Sequence, residues 1–492
     1  MQCFFASQSS LFLGTITALL LTACGGDSGG SSSPPLTTPP PARAATHLSI
    51  AAPANVAAGT AFNITVTALD ASNNVVTGYY GTVHFTSTDA QAVLPANSAL
   101  ANGTATLAAA LKSAGGQTIT GTDTAAASIT GTTSSIKIAT ATSRFQNTRS
   151  MGTARVSHTA TLLGDGAVLI AGGMDGTVAL SSTELFDPAI GGFTPSGNMH
   201  AARASHTATL LSHGPLLTNG KVLITGGGDA TSQSLSTVEL FTPRTGAFTA
   251  TANMKIARRG HTATLLNSGK VLVTGGVDAG GNVLKTAELF DPSAGTFTLT
   301  HGGMVWARTH HNATLLGNGK VLITGYEAQA ELFNPLTQTF TTTASTYEPN
   351  PQVTVTWLND DKVLVIEFYA GFSHGHPNGL AQLYDSSSGT FAFAGCFYCS
   401  AGRSRHTATL RNDGKVLVAG GGLVTLSQEG QPPVVTASAE LFDPMSGTFA
   451  PTDNMVLARE YHTATLLDNG DVLITGGLDA GGNTLAAAEL YH

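Results

Sequence analysis

The sequence predicts an all-β protein, a seven-bladed β-propeller preceded by a small β-sandwich. A phrase of alternating apolar and polar residues, SHTATLLGDGAVLIAGG from Ser157, recurs through the second part of the chain. Further copies begin at Ser205, Gly260, His311, Arg405 and Tyr461, and a degenerate copy begins at Gln352. Repetition at about 50 residues is typical of propellers, and each intact copy contains a Gly-bearing turn of the kind that joins short antiparallel strands.

The composition restricts the class of protein. Charged residues make up only 11% of the 492 residues, well below the roughly 25% of ordinary soluble domains. The formal net charge of -8 argues against a nucleic-acid partner, because binding phosphates requires a basic surface. Abundant Gly, Thr and Ala suit an extracytoplasmic β-protein with many tight turns.

Residues 1–23 read as a signal peptide that directs the chain out of the cytoplasm. The tetrad from Leu21 to Cys24 resembles the lipobox of bacterial lipoproteins, which implies a lipid anchor on Cys24. In that resemblance, Gly25 in place of Asp implies sorting to the outer membrane. An ordinary signal peptide cleaved nearby is the alternative. Residues 24–45 are rich in Gly, Ser and Pro and form a predicted linker.

Residues 46–140 differ from the repeats. The stretch FNITVTALDASNNVVTGYYGTVHFTSTD, from Phe62, alternates apolar and polar residues on both sides of a turn. Such alternation without helical runs predicts a small antiparallel sandwich. It resembles the bacterial immunoglobulin-like domains of surface proteins, for which a spacer role is expected.

Each repeat between residues 143 and 492 contains four short strands, as one propeller blade requires. HTATLL and KVLITGG form the first two, and phrases such as TAELFDP and GAFTATANM form the third and fourth. A double glycine followed by two spaced aromatic residues, as in Gly275-Gly276 with Phe290 and Phe297, resembles the kelch repeat. The last copy stops after its third strand, so we expect residues 143–151 to supply its fourth.

One residue pair raises the question of a metal site. Tyr461-His462 resembles the tyrosine and histidine that a copper oxidase of the galactose oxidase type places on its metal. The histidine, however, has equivalents in five other copies, at His158, His206, His261, His311 and His406. We therefore predict a structural histidine and no metal or cofactor, with the copper oxidase kept as a less favoured alternative.

Arginines precede these histidines in the links between the outer strand of one blade and the inner strand of the next. They are Arg155, Arg203, Arg258 with Arg259, Arg308, Arg403 with Arg405, and Arg459. Such links share one face of a propeller, here called the link face. We interpret the arginines as a basic ring that binds an anionic ligand. The alternative is that they pair with carbonyls or carboxylates and lock the blades together.

The fourth and fifth blades depart from the pattern. Gly325-Tyr326 and Glu367-Phe368 stand where a glycine pair is expected. His374 and His376 follow in a loop of the same face and are added to the predicted ligand-binding residues, with a metal site as the alternative. Cys396 and Cys399 are predicted to form a disulfide, with a redox pair as the alternative.

These observations predict a membrane-anchored binding module of the cell envelope that recognises an anionic glycan or a protein through its arginine-lined face. A structural or assembly lipoprotein without a small ligand is the alternative. We do not favour an enzyme.

Overall fold

The computed structural model describes residues 43–139, 143–211, 220–346, 353–358, 361–368, 379–396, 401–425 and 433–492. All regular secondary-structure elements in these ranges are β-strands, which confirms the all-β prediction. No helix that could cross a membrane occurs in the ranges searched. The chain forms two compact units, Met1–Ala141 and Thr142–His492. Cys24 and most of the predicted linker lie outside the described residues.

The described residues of the first unit form ten short strands around one core. They are β1 (His47–Ala51), β2 (Asn55–Ala57), β3 (Ala61–Leu69), β4 (Thr82–Ser87), β5 (Ser98–Ala99), β6 (Thr104–Ala110), β7 (Gly115–Gln117), β8 (Ile119–Asp123), β9 (Thr130–Thr132) and β10 (Ile136–Ala139). Their sheets have the orders β1-β3-β6, β2-β10-β7 and β5-β4-β8-β9. Alternate residues such as Ile64, Val66, Phe85 and Ile119 are buried in the shared core, because successive side chains of a strand point to opposite faces.

In the described part of the second unit, the strands form seven four-stranded sheets, called blades 1 to 7. Strand β11 (Phe145–Asn147) is the first strand of this unit. Blade 1 follows with β12 (Thr159–Leu162), β13 (Val168–Ala171), β14 (Thr183–Asp187) and β15 (Gly192–Pro195). Blade 2 contains β16 (Thr207–Leu210), β17 (Val222–Thr225), β18 (Val238–Thr242) and β19 (Ala247–Ala250). Blade 3 contains β20 (Thr262–Leu265), β21 (Val271–Thr274), β22 (Ala287–Asp291) and β23 (Thr296–Leu299).

Blade 4 contains β24 (Asn312–Leu315), β25 (Val321–Gly325), β26 (Glu327–Asn334) and β27 (Thr339–Ser345). Blade 5 contains β28 (Thr354–Trp357), β29 (Lys362–Phe368), β30 (Gly379–Asp385) and β31 (Thr390–Cys396). Around blade 6, the chain forms β32 (Ala401–Ser404), β33 (Thr407–Leu410), β34 (Val416–Ala419), β35 (Gly422–Thr425), β36 (Val434–Val435), β37 (Ala439–Asp443) and β38 (Thr448–Pro451). Blade 6 itself has the order β33-β34-β37-β38, and β32-β35-β36 is a separate small sheet.

Blade 7 joins the two ends of the unit. It contains β39 (Thr463–Leu466), β40 (Val472–Thr475) and β41 (Ala488–Tyr491), and its fourth strand is β11. Phe145 pairs with Tyr491, and Asn147 pairs with Glu489, which is the closure that the sequence predicts. The inner strands contact one another in a cycle, because β12 meets both β16 and β39.

The core of this unit lies between neighbouring blades. Leu223 of blade 2, for example, belongs to one buried cluster with Val271, Phe290 and Phe297 of blade 3. The rings of Phe290 and Phe297 lie 4.8 Å apart, in the range that favours tilted aromatic pairs. Because each cluster spans two blades, no blade can bury its apolar surface alone.

Candidate functional site

The arginine of each regular link is a buried clamp. In blade 3, Nη1 of Arg258 donates to the carbonyls of Gly275 and Thr286, at 2.7 and 3.1 Å. Its Nη2 donates to Oε1 of Glu288 at 2.8 Å. The side chains of Arg258 and Glu288 are both fully buried. The arginine therefore ties the link to the ends of the second and third strands of its own blade.

The glutamate completes the clamp by holding the backbone of the link. Glu288 accepts the N–H groups of Lys255 at 2.7 Å and of Ile256 at 3.1 Å. The same arginine–glutamate pair occurs in blades 1, 2, 4 and 7 as Arg155–Glu184, Arg203–Glu239, Arg308–Glu331 and Arg459–Glu489. In blade 6, Arg403 donates to the carbonyls of Gly420 and Ser438.

The interpretation of these six arginines as a ligand-binding ring is wrong. Arg155, Arg203, Arg258, Arg308, Arg403 and Arg459 are each 0% exposed, and their guanidinium groups are engaged by carbonyls and, in five blades, by a carboxylate. Burial lowers the pKa of Arg203, Arg258, Arg308 and Arg459, while the paired glutamates oppose that shift. Their contacts are those of the alternative, in which the arginines pair with carbonyls or carboxylates.

The repeated histidines join each blade to the one before it. Nε2 of His261 lies 3.1 Å from Oγ1 of Thr207 and 3.0 Å from Oγ1 of Thr225, both in blade 2. Equivalent contacts to the preceding inner strand are made by His158, His206, His311, His406 and His462. Burial, with a smaller contribution from the adjacent arginine, lowers the pKa of His158, His206, His311 and His406 to about 3, so these imidazoles are neutral at pH 7.

The histidine of the Tyr461-His462 pair belongs to this layer. Its Nε2 lies 3.0 Å from Oγ1 of Thr407 in blade 6, and burial holds its pKa well below the usual range. Tyr461 is exposed instead. No group of three or more metal-ligating side chains converges within the described ranges. The contacts of His462 match its predicted structural role.

A second layer of side chains begins one residue before each histidine. This position has a left-handed backbone, with φ between 50° and 60°, at Ser157, Ser205, Gly260, His310, Arg405 and Tyr461. Backbone hydrogen bonds connect these positions between neighbouring blades: Ser205 donates to Ser157, Gly260 to Ser205, His310 to Gly260 and Tyr461 to Arg405. Since the inner strands start two residues later, this layer surrounds the link-face end of the central channel. We call these six residues the mouth positions.

Two neighbouring mouth positions, Arg405 and Tyr461, belong to one polar cluster. Nη1 of Arg405 donates to both carboxylate oxygens of Glu460, at 3.1 and 3.2 Å. The guanidinium carbon lies 4.8 Å from the centre of the Tyr461 ring, within the range of a cation–π contact. Elsewhere at the mouth, partial burial lowers the pKa of His310, with a further contribution from Arg259.

Blade 5 has neither the arginine nor the glutamate of the clamp. Gln382 stands at the glutamate position and donates from Nε2 to Oε2 of Glu367 at 2.8 Å, with both side chains buried. In blade 4, Gly325 pairs directly with Glu327 around Tyr326, which shortens the loop between its second and third strands. His374, His376 and Cys399 lie outside the described residues, as does the side chain of Cys396, so the predicted disulfide stays a prediction.

Comparisons with known proteins agree with this architecture. A family model for the kelch motif matches residues 210–255. A fungal alcohol oxidase of the AA5 family, solved in complex with copper, matches with a TM-score of 0.54 and 17% identity over 70% of this chain and 76% of that chain. The second unit has the fold of a kelch β-propeller.

The solved structure of YjhT matches with a TM-score of 0.45 and 16% identity, over 70% of this chain and 96% of that chain. No curated protein matches the chain. At 17% identity the match to the alcohol oxidase describes the fold alone and leaves the ligand of this chain open.

Sequence reasoning missed the partner of each clamp. The glutamates of the third strands recur one to each regular blade, in phrases such as AELFD, and blade 5 has lost arginine and glutamate together. Because the arginine and the glutamate repeat together and are absent together, the sequence contained a signal that they form a pair. The mouth positions gave the opposite signal, because they vary in an otherwise regular phrase of the kelch propeller.

Proposed function

We propose that this protein is a lipid-anchored binding module of the cell envelope, whose link face recognises an anionic glycan or a protein partner. Kelch propellers are binding or structural modules, and their fold alone does not select a ligand. The proposed site is the mouth of the channel rather than the six buried arginines.

The observation that carries the proposal is the combination of variation and backbone strain at the mouth positions. Each mouth position is followed by a buried histidine and then by a threonine or asparagine of the inner strand. In blade 5, Val353 takes the place of the histidine. The mouth positions hold Ser, Ser, Gly, His, Arg and Tyr instead. A left-handed backbone costs a non-glycine residue roughly 1–2 kcal/mol, and such strain is concentrated at functional sites. Glycine, which would relieve it, is present only at Gly260 among these six.

The charge of the mouth favours an anionic ligand. Arg259 and Arg405 provide cationic groups on a chain whose formal net charge is -8. Glu460 accepts from Nη1 of Arg405, and the Arg405 side chain is still 27% exposed, so its guanidinium group can also contact a carboxylate or sulfate. Tyr461 adds an aromatic ring with a polar tip beside it.

The predicted anchor supports a role at the cell envelope. Leu21 to Cys24 resembles a lipobox, and the Gly-, Ser- and Pro-rich residues that follow suit a tether. Growth with a radiolabelled fatty acid would label the wild-type chain and leave a Cys24→Ser variant unlabelled. Equal labelling of both chains would exclude this anchor.

The binding proposal is tested with the full-length protein in mild detergent on an array of glycans and acidic peptides at low and high salt. We compare the wild type with Arg405→Ala/Tyr461→Ala and with Arg244→Ala, which removes one exposed arginine outside the links. Signals that weaken with salt and disappear only in the double variant are expected. Equal signals from both variants would place the site elsewhere, and silence from a folded wild type would favour the assembly role.

A further inference from the structure

The glutamate of each clamp holds two consecutive link residues by their N–H groups. These pairs, called rim pairs, are Gly152-Thr153, His200-Ala201, Lys255-Ile256, Val305-Trp306 and Val456-Leu457. Because the backbone of a rim pair is fixed by a buried carboxylate, its side chains are displayed at little further entropic cost. The rim pairs therefore form a second set of variable, rigidly held positions on the link face.

The rim pair of blade 4 displays large apolar side chains. Val305 and Trp306 are 50% and 46% exposed. Their N–H groups donate to Oε2 and Oε1 of Glu331, at 2.7 and 3.2 Å, and Glu331 is itself fully buried against Arg308. An exposed tryptophan beside an exposed valine, on a backbone that cannot withdraw them, is an unusual surface for a free domain.

The pattern is repeated in one other blade. Val456 and Leu457 are exposed and are held in the same way by Glu489. The blade next to Val305-Trp306 contributes the exposed Lys255 at the equivalent position, and Arg259 further along the same link. Apolar anchors with neighbouring cations are the composition of a protein-binding surface, in which tryptophan and arginine carry much of the affinity.

We propose that Val305 and Trp306 anchor a docking site for a segment of a protein partner that presents apolar side chains flanked by acidic residues. The inference rests on the proposed function and specifies the partner. A glycan would stack on the ring of Trp306, but it would gain nothing from Val305. An apolar segment would pack against both Val305 and Trp306, and its flanking acidic residues would complement Lys255 and Arg259.

The two tryptophans of the chain provide the experiment. Trp357 is 41% exposed and ends the inner strand β28, whereas the links enter the inner strands at their first residues, so it lies at the opposite end of the channel. In Trp357→Phe, the fluorescence therefore reports on Trp306 alone. The probe is a phage-displayed library of random dodecapeptides, selected on the full-length protein, and the selected peptides are then titrated as free peptides.

The expected peptides are acidic and contain aromatic or aliphatic residues, and they shift the emission of Trp306 in the Trp357→Phe protein. Trp306→Ala and Val305→Lys should each weaken binding at least tenfold, as is usual for a central anchor. Trp357→Ala, the matched loss of an exposed tryptophan, should leave the affinity within about twofold. Unfolding midpoints equal to that of the wild type show that the variants are folded.

Three results would overturn the inference. Peptides that bind Trp306→Ala as tightly as the wild type, but lose affinity in Arg405→Ala/Tyr461→Ala, would preserve the proposed function and remove the anchor. A library that yields no peptide, together with glycan binding that depends on Trp306, would replace the protein partner with a glycan. Peptide binding that is indifferent to all of these variants would contradict both proposals.

Discussion

Residues of the same kind, side by side in the chain, have opposite roles in the clamp layer and at the mouth. Arg258 is buried against Glu288, whereas Arg259 is partly exposed. His311 contacts the threonines of blade 3, whereas His310 is exposed. The repeated member of each pair is structural, and the variable member reaches the surface. Residue type therefore says less about function in a repeat protein than regularity does.

Lowering the pH should give the largest difference in stability effects between the buried histidine layer and the mouth positions. Buried histidines whose pKa is about 3 in the folded state have a pKa near 6.5 when unfolded. The folded state thus binds fewer protons between pH 6.5 and 3, so stability is complete above pH 6.5 and falls as the pH decreases through this window. Each buried histidine should lower the free energy of unfolding by up to about 1.4 kcal/mol per pH unit. Urea unfolding followed by tryptophan fluorescence measures this loss.

Two variants assign this slope. His158→Asn should reduce the loss of stability between pH 6.5 and 5, although it lowers stability at pH 7. His310→Asn, at the mouth, should change the slope much less because its imidazole is exposed. A propeller equally stable at pH 7 and pH 5 would contradict the neutral, buried state of the histidine layer.

Removing one arginine from each layer gives the next largest contrast. Arg258→Ala leaves Glu288 buried without its cation, which typically costs about 3–5 kcal/mol. Arg259→Ala should cost about 0.5 kcal/mol. Urea unfolding measures both, and Arg258→Ala/Glu288→Ala should lose less than the sum of its single variants. Equal costs for the two arginines would show that the clamp contributes no more than a surface residue.

A smaller contrast distinguishes steric crowding from backbone strain. Gly276 has a φ of 93°, and a Cβ there would lie 2.6 Å from the carbonyl oxygen of Arg259. Gly281 has a similar φ of 82° but nothing within 4 Å. Gly276→Ala should cost about 2–4 kcal/mol, and Gly281→Ala about 1 kcal/mol. If the two variants lost similar stability in thermal unfolding, backbone strain alone would explain why Gly276 is a glycine.

The smallest effect concerns the mouth itself. Ser205→Gly should stabilise the propeller by about 0.5 kcal/mol, because glycine accepts the φ of 51° more easily than serine does, although it gains entropy when unfolded. Gly260→Ser should destabilise it, since a Cβ would lie 2.9 Å from Oγ1 of Thr309. A loss of stability in Ser205→Gly would contradict strain at the mouth positions.

The repeats made the propeller predictable, because spacing, turn residues and the aromatic pairs all require four strands per blade. The closure by residues 143–151 was predictable for the same reason. The direction of the arginine side chains was not, since a link that crosses a blade can place a side chain either into the blade or towards the channel. Burial of Arg203 depends on Glu239, which is 36 residues away in the sequence.

The departures of blades 4 and 5 were visible in the sequence, but their contacts were not. Glu367 was recognised as a break in the glycine pattern, yet its hydrogen bond to Gln382 depends on the register of β29 and β30. The mouth positions were overlooked because the left-handed backbone is carried mostly by residues other than glycine, which give no sequence signal for it.

The closure of blade 7 determines how the propeller responds to tension. Phe145 pairs with Tyr491 and Asn147 with Glu489, and His492 donates to the carbonyl of Arg144 at 2.9 Å. Both strands therefore leave the pair at the same end. A force applied between residues 144 and 492 would load these hydrogen bonds one after another, in an unzipping geometry. In a shear geometry, by contrast, all of them would be loaded at once. Blade 7 is thus the expected point of mechanical failure, and single-molecule stretching should open it at low force before any other blade.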